Sequence, residues 1–192
     1  MTQASANVNV MIKAARKAAR SLLRDFGEVE QLQVSSKGPG DFVSRADLKA
    51  EQLVRDELMT ARPNYGWLGE ETGAAKGADP TRRWLVDPLD GTTNFLHGLP
   101  HWSVSIGLEH KGEVVAGVVY DPVKDEIFVA EKGAGAWVND RRLRVSGRPP
   151  KGMPVAKIIS IMSRRPETRR RRSFIHAPAP FSATKISSLT GS

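Results

Sequence analysis

Residues 102–131 read WSVSIGLEHKGEVVAGVVYDPVKDEIFVAE, and their period fixes the architecture. Trp102, Val104, Ile106 and Leu108 alternate with Ser103, Ser105 and Gly107, the two-residue repeat of a strand with one buried face. A Lys111-Gly112 turn leads into EVVAGVVY, followed by EIFVAE, GAWVN, an Asn139-Asp140 turn and RLRV. Strands joined by such short turns pair antiparallel, because a parallel neighbour needs a long crossover. The stretch therefore predicts an antiparallel meander.

Working outward, the period changes upstream. Val8, Met11, Ile12, Ala15, Ala19, Leu22, Leu23 and Phe26 recur at steps of three and four, which predicts one amphipathic helix over 7–26, ending near Gly27. A turn-rich SSKGPGDF follows, then a second helix over about 45–60 with Leu48, Leu53, Val54, Leu58 and Met59 apolar and Arg62-Pro63 beyond it. Ser44 and Asp47 stand at capping-box spacing. Two helices followed by a run of strands give an α+β fold, two helices packed on a mostly antiparallel sheet. Trp67, Trp84, Trp102 and Trp137 read as core residues at strand positions, and no internal repeat is visible.

The formal charge of +8 belongs to one end of the chain. Residues 1–140 hold 16 Lys and Arg against 20 Asp and Glu, whereas residues 141–192 hold 13 against 1. Basicity thus describes the last quarter and says nothing about partners of the body. The chain has no cysteine, which excludes a disulfide framework and thiolate metal sites. Its first helical stretch is interrupted by Lys13, Arg16, Lys17, Arg20 and Arg24, so neither a signal peptide nor a membrane span is expected, and the expected compartment is the cytoplasm.

The chemistry concentrates in WLVDPLDGTTNF, residues 84–95. Asp87 closes a short apolar run, Pro88 turns the chain, and Asp90 returns beside Asp87 before Gly91, Thr92 and Thr93. Upstream, WLGEETG puts Glu70 and Glu71 after another short apolar run. Carboxylates converging from two strand ends suit a hard cation, and Mg²⁺ is the natural choice without cysteine or patterned histidine. Small and hydroxyl residues entering a helical turn suit a phosphate. On spacing alone the same residues also fit an ordinary acidic turn, Asp47 also fits a helix cap, and Glu71 also fits a solvated neighbour. His97 and His101 flank the motif as loop histidines, with a general-acid role as the alternative.

DPLDGTTNF, with GEE about twenty residues upstream and GDFVSRAD before that, resembles the three N-terminal motifs of the inositol monophosphatase family, Mg²⁺-dependent and lithium-inhibited phosphatases. The resemblance spans roughly residues 5–148. It implies the N-terminal half of a layered sugar-phosphatase fold and, as substrate, a phosphate monoester of a small polyol, by default myo-inositol 1-phosphate. Histidinol phosphate, fructose bisphosphate and phosphoadenosine phosphate remain open. It implies two or three Mg²⁺ ions held by Glu70, Asp87, the Leu89 backbone carbonyl and Asp90. Glu70, Thr92 and Asp47 take the catalytic positions, with the Thr92 hydroxyl linked to Asp47, and Asp90, Gly91 and Thr92 take the phosphate-binding positions. It also implies a homodimer.

Departure from the family pattern begins near residue 149. The family's second half, with a W-D motif that ligates the second metal, has no counterpart, since Glu167 is the sole acid after residue 150. We expect residues 1–148 to form one domain and 149–192 to be a basic, poorly structured tail, the ending of a truncated or frame-shifted product, with a weakly active or inactive family fragment as the alternative to a working phosphatase. One sheet face is then expected to be bare and apolar. The Arg169 to Arg172 run fits only a non-specific nucleic-acid patch; neither nucleic acid nor membrane is an expected partner.

Overall fold

The period-two region folds as an antiparallel ladder. Residues 4–32 and 39–144 are described by the computed structural model. In chain order they form α1 (Ala6–Leu32), α2 (Pro39–Ala61), β1 (Tyr65–Gly69), β2 (Gly73–Ala75), β3 (Asp79–Asp90), α3 (Thr92–Leu96), β4 (Ser103–His110), β5 (Glu113–Asp121), β6 (Glu126–Glu131), β7 (Gly135–Val138) and β8 (Arg141–Leu143). All eight strands form one sheet in the order β2-β1-β3-β4-β5-β6-β7-β8. Both expected turns are present: Lys111 and Gly112 have φ of 53° and 82°, and Asn139 and Asp140 have 42° and 65°. Two successive positive φ values match the right-handed twist of the flanking strands.

The sheet is mixed, because β1 and β3 run parallel while every other neighbour is antiparallel. The register pairs Trp67 with Trp84 and Gly69 with Val86. Parallel neighbours end at the same edge of the sheet, so the loop after β1 and the last residues of β3 emerge side by side. That edge becomes the site.

Both helices pack on one face, α1 against β4 and β5 and α2 against β3. Trp84, Val86, Val104, Ile106, Leu108, Val118 and Tyr120 form the sheet side of the core. Fully buried alanines on α1 (Ala14, Ala15, Ala18) and on α2 (Ala50) let the two helices approach closely. Phe26, Phe95 and Trp102 meet with ring centroids 5.1–5.5 Å apart, pinning α3 and the segment before β4 to α1.

Several expectations need correction. Helix α1 runs through Gly27, because one glycine costs only about 1 kcal/mol in a helix already anchored over its preceding turns. Helix α2 starts at Pro39, not near 45, since a proline's fixed φ suits a first helical turn. Ser44 and Asp47 are therefore interior positions, and Asp47 is not a cap. Leu48 is 45 % exposed, and Leu23 is also turned outward. Trp102 lies just ahead of β4 and Trp137 is only half-buried. On the sheet face away from the helices, Leu85, Val119, Phe128 and Val138 are half-buried, whereas the most exposed large apolar side chains among the described residues, Leu23, Leu48, Leu99 and Val123, lie outside the strands. On that face the row from Leu85 runs through Gly107, Gly117, Ala130 and Ala136, and the next row runs from Ser105 through Val119, Phe128 and Val138. Residues 149–192, expected to be poorly structured, lie outside the described residues.

Candidate metal and phosphate site

Three segments bring carboxylates together at the shared end of β1 and β3. The first is the turn after β1, where the Glu70 N–H donates to the Val86 carbonyl at 3.0 Å and so continues the parallel ladder by one residue. The second is the end of β3, whose pairing with β4 shifts register between Asp87 and Asp90. There one Asp87 oxygen accepts the Leu89 N–H at 3.2 Å, a local turn that holds both aspartates at the same rim. The third is α2, whose buried stripe contains two acids, Asp47 and Glu51, one helical turn apart among Ala46, Ala50, Val54 and Leu58.

These acids lack counterions. Among the described residues no Lys or Arg forms an ion pair with Asp47, Glu51, Glu70, Glu71, Asp87 or Asp90. Burial, reinforced by the charges of Glu71, Glu70 and Glu51 and by a hydrogen bond with Glu71, pushes Asp47 up to about 8. Burial likewise pushes Asp87 up to about 8, helped by the charge of Glu70 and a hydrogen bond with it and by the charges of Asp90 and Asp47. Burial first, and then Glu70 and Glu51, raise Glu71 as well. Glu71 is thus part of the acid cluster, with its side chain near the water-exposed rim and its carboxyl toward Asp47.

The donor set suits a hard divalent cation. It is all oxygen, and Oδ1 of the buried Asp47 side chain has no hydrogen-bond partner. Burial first, and then repulsion among the neighbouring acids, disfavours the charged form of Asp47 and Asp87, and a cation placed among them would offset both. Among the described residues no three acidic or imidazole groups enclose a single point. Glu70 is exposed and already hydrogen-bonded to Asp87, so the acids meet at the rim as an open cluster.

Gly91 forms the corner after β3. Its φ of 98° is left-handed, and a Cβ there would lie 2.8 Å from the His101 carbonyl oxygen, so only glycine fits without strain. Helix α3 starts immediately after it, and Thr92 donates its hydroxyl to the Leu89 carbonyl at 2.9 Å. The expected Thr92–Asp47 link is not among the hydrogen bonds: a threonine at a helix start bonds readily to the carbonyl three residues back, and Asp47 faces Glu71 instead. His97 and His101 are exposed, and the His101 carbonyl accepts the Asn94 side-chain amide at 2.7 Å.

Residues 4–188 match the model of the inositol monophosphatase family. The chain belongs to the inositol monophosphatase family. It is 61% identical over 144 residues to an inositol-1-monophosphatase of Rhizobium meliloti, covering 75% of this chain and 54% of that protein. It is 42% identical over 141 residues to Nus factor SuhB of Pasteurella multocida, covering 73% and 53%. The crystal structure of extragenic suppressor protein suhB from Bartonella henselae superposes with a TM-score of 0.67 at 60% identity, over 75% of this chain and 56% of that one. The chain spans about half the length of the curated relatives it matches. Within the family fold, the described residues supply two helices on a mixed, mostly antiparallel sheet.

Glu51 was missed by the motif reading. Its signal was available: an acid at 51 occupies the same helical stripe as Ala50, Val54 and Leu58, where a charged residue is rarely placed without a partner.

Proposed function

We propose that this chain carries the acidic half of a Mg²⁺-dependent site that hydrolyses the phosphate monoester of a small polyol, with myo-inositol 1-phosphate as the first candidate. The observation that supports this reading is the set of acids that have no counterion among the described residues at the shared end of β1 and β3, with Asp47 and Asp87 both pushed up to about 8. Glu70, Asp87, Asp90 and the Leu89 carbonyl would hold the cations, two or three in number. Held by these residues, Mg²⁺ would supply shielding of the ester's charge, acidity for the attacking water near neutral pH and stabilisation of the leaving alkoxide.

The chain's own residues do the rest. Glu70 would orient the attacking water, and the Thr92 hydroxyl, on exchanging its Leu89 partner for Asp47, would take the proton of that water while passing its own to the Asp47 carboxylate. The backbone N–H groups of Gly91 and Thr92, next to Asp90, hold the phosphoryl oxygens. The same proposal includes lithium sensitivity and a homodimer, the latter read by sedimentation. Among the described residues no helix is long and apolar enough to cross a membrane.

The test is phosphate release from myo-inositol 1-phosphate with Mg²⁺ and with chelator, beside calorimetric titration of Mg²⁺ and Mn²⁺ into folded protein. Release that depends on Mg²⁺ and disappears in Asp87→Asn supports the reading. Absence of divalent uptake at millimolar concentration removes it. Uptake without turnover leaves metal binding in place and favours the inactive-fragment alternative.

A further inference from the structure

The turn that presents Glu70 is held from below by a buried side chain with no place among the motif residues. Glu51 is fully buried in α2. Its Oε2 accepts the N–H of Glu71 at 2.8 Å and its Oε1 accepts the N–H of Thr72 at 3.0 Å. One carboxylate thus caps two successive amides of the loop between β1 and β2. No Lys or Arg among the described residues pairs with it, so these two amides are its partners.

Two neighbours are shaped around this contact. A Cβ on Gly69 would lie 2.5 Å from Glu51 Oε1 and 2.6 Å from Oε2, so the last residue of β1 must lack a side chain for the carboxylate to lie against the backbone. Trp67, buried in β1, donates its indole N–H to the Thr72 hydroxyl at 3.1 Å and fixes the far side of the same turn. Glu70 stands between these fixtures, with Val86 accepting its N–H and Glu51 holding the next two amides.

We propose that Glu51 is a positioning residue for the metal site: its buried carboxylate, seated against Gly69, locks the Glu71 and Thr72 amides and so sets the direction in which Glu70 and Glu71 face Asp47 and Asp87. The inference deepens the metal-dependent reading and rests on it. A role limited to filling the core needs only shape, whereas a positioning role needs two acceptor oxygens. Glu51→Gln separates these, since it keeps shape and volume but turns an amide NH₂ toward an N–H donor.

The experiment measures Mn²⁺ affinity by calorimetry for wild type, Glu51→Gln and Gly69→Ala, with circular dichroism for folding and amide exchange at Glu71 and Thr72. We expect both variants to weaken Mn²⁺ binding by roughly tenfold or more, the usual effect of removing a partner behind a metal ligand. We also expect protection at Glu71 and Thr72 to fall while protection in β4 and β5 stays. A folded Glu51→Gln protein with Mn²⁺ affinity within about twofold of wild type overturns the proposal, on the same outer-partner scale. If both variants fail to fold, wild type decides: Glu71 and Thr72 amides exchanging as fast as an open loop overturn it, and slow exchange supports it. If wild type takes up no metal at all, the metal-dependent reading fails, and unprotected Glu71 and Thr72 amides would separately defeat the lock.

Discussion

Acids at the two sides of this molecule have opposite surroundings. Away from the β1/β3 rim, five acidic side chains face bases: Glu57 pairs with Lys13 and Lys17, Asp79 with Arg82, Glu109 with Arg83, Asp121 with Lys124 and Glu113 with Lys132. At the rim none does. Asp79, hydrogen-bonded by Thr81 and Arg82, is held down at about 2, whereas Asp87 is pushed up to about 8 by burial and by Glu70. The same side chain is driven in opposite directions by its surroundings, and the lesson is that the rim is not charge-balanced among the described residues.

Neutralising one rim acid gives the largest effect. Asp87→Asn should lower Mg²⁺-dependent phosphate release on the order of 10²- to 10³-fold, the scale of losing one electrostatic contact to the reacting group, while raising the thermal midpoint in chelator at pH 8. A variant that loses metal and stability together would contradict the contrast.

Moving the rim acids without changing their charge comes next. Gly91→Ala must place a Cβ at φ 98° against the His101 carbonyl and should cost about 2–3 kcal/mol in denaturant unfolding. Retention of full stability would mean that the corner after β3 is soft.

The pH dependence in chelator tests the sign. Asp47 and Asp87 have folded values near 8 against an ordinary 3.8, so between those limits the folded state holds protons that the unfolded state has released. Stability from these groups is therefore full below about pH 4, on the ordinary carboxylate scale, and declines as pH rises toward 8. Melting curves from pH 4 to 8 should show that decline in chelator and a flatter profile with Mg²⁺.

The smallest effect belongs to the paired side. Glu109→Gln removes an ion pair with Arg83 at 2.9 Å, directly opposite it in the β3–β4 register, and should cost no more than about 1 kcal/mol because both side chains touch solvent. A double-mutant cycle with Arg83→Gln measures it.

Legibility in the sequence follows the range of the forces involved. The hairpins at Lys111-Gly112 and Asn139-Asp140 were readable because a turn's φ demands lie in two adjacent residues. Helix α1 was readable because its stripe repeats over many turns. The start of α2 was not, since Gly-Pro-Gly serves equally as a turn or as a first helical turn, and packing decides between them. Leu48 is apolar by type yet exposed, while Asp47 and Glu51 occupy the inward stripe, an exchange that residue type alone does not signal. The acids at 70, 87 and 90 were legible as motifs; that β1 lies parallel to β3, which brings them to one edge, depends on a non-local pairing that no short window contains.

That parallel pairing also governs what the chain tolerates. Strand side chains alternate, so adding or deleting one residue within 79–86 would slide β3 past both β1 and β4 and turn Trp84 away from the helices. A similar change near Ala75, at the outermost strand, alters only the hairpin edge and leaves the Gly69–Val86 match intact. Length variation should therefore be harmless in one stretch and ruinous in another only a few residues away.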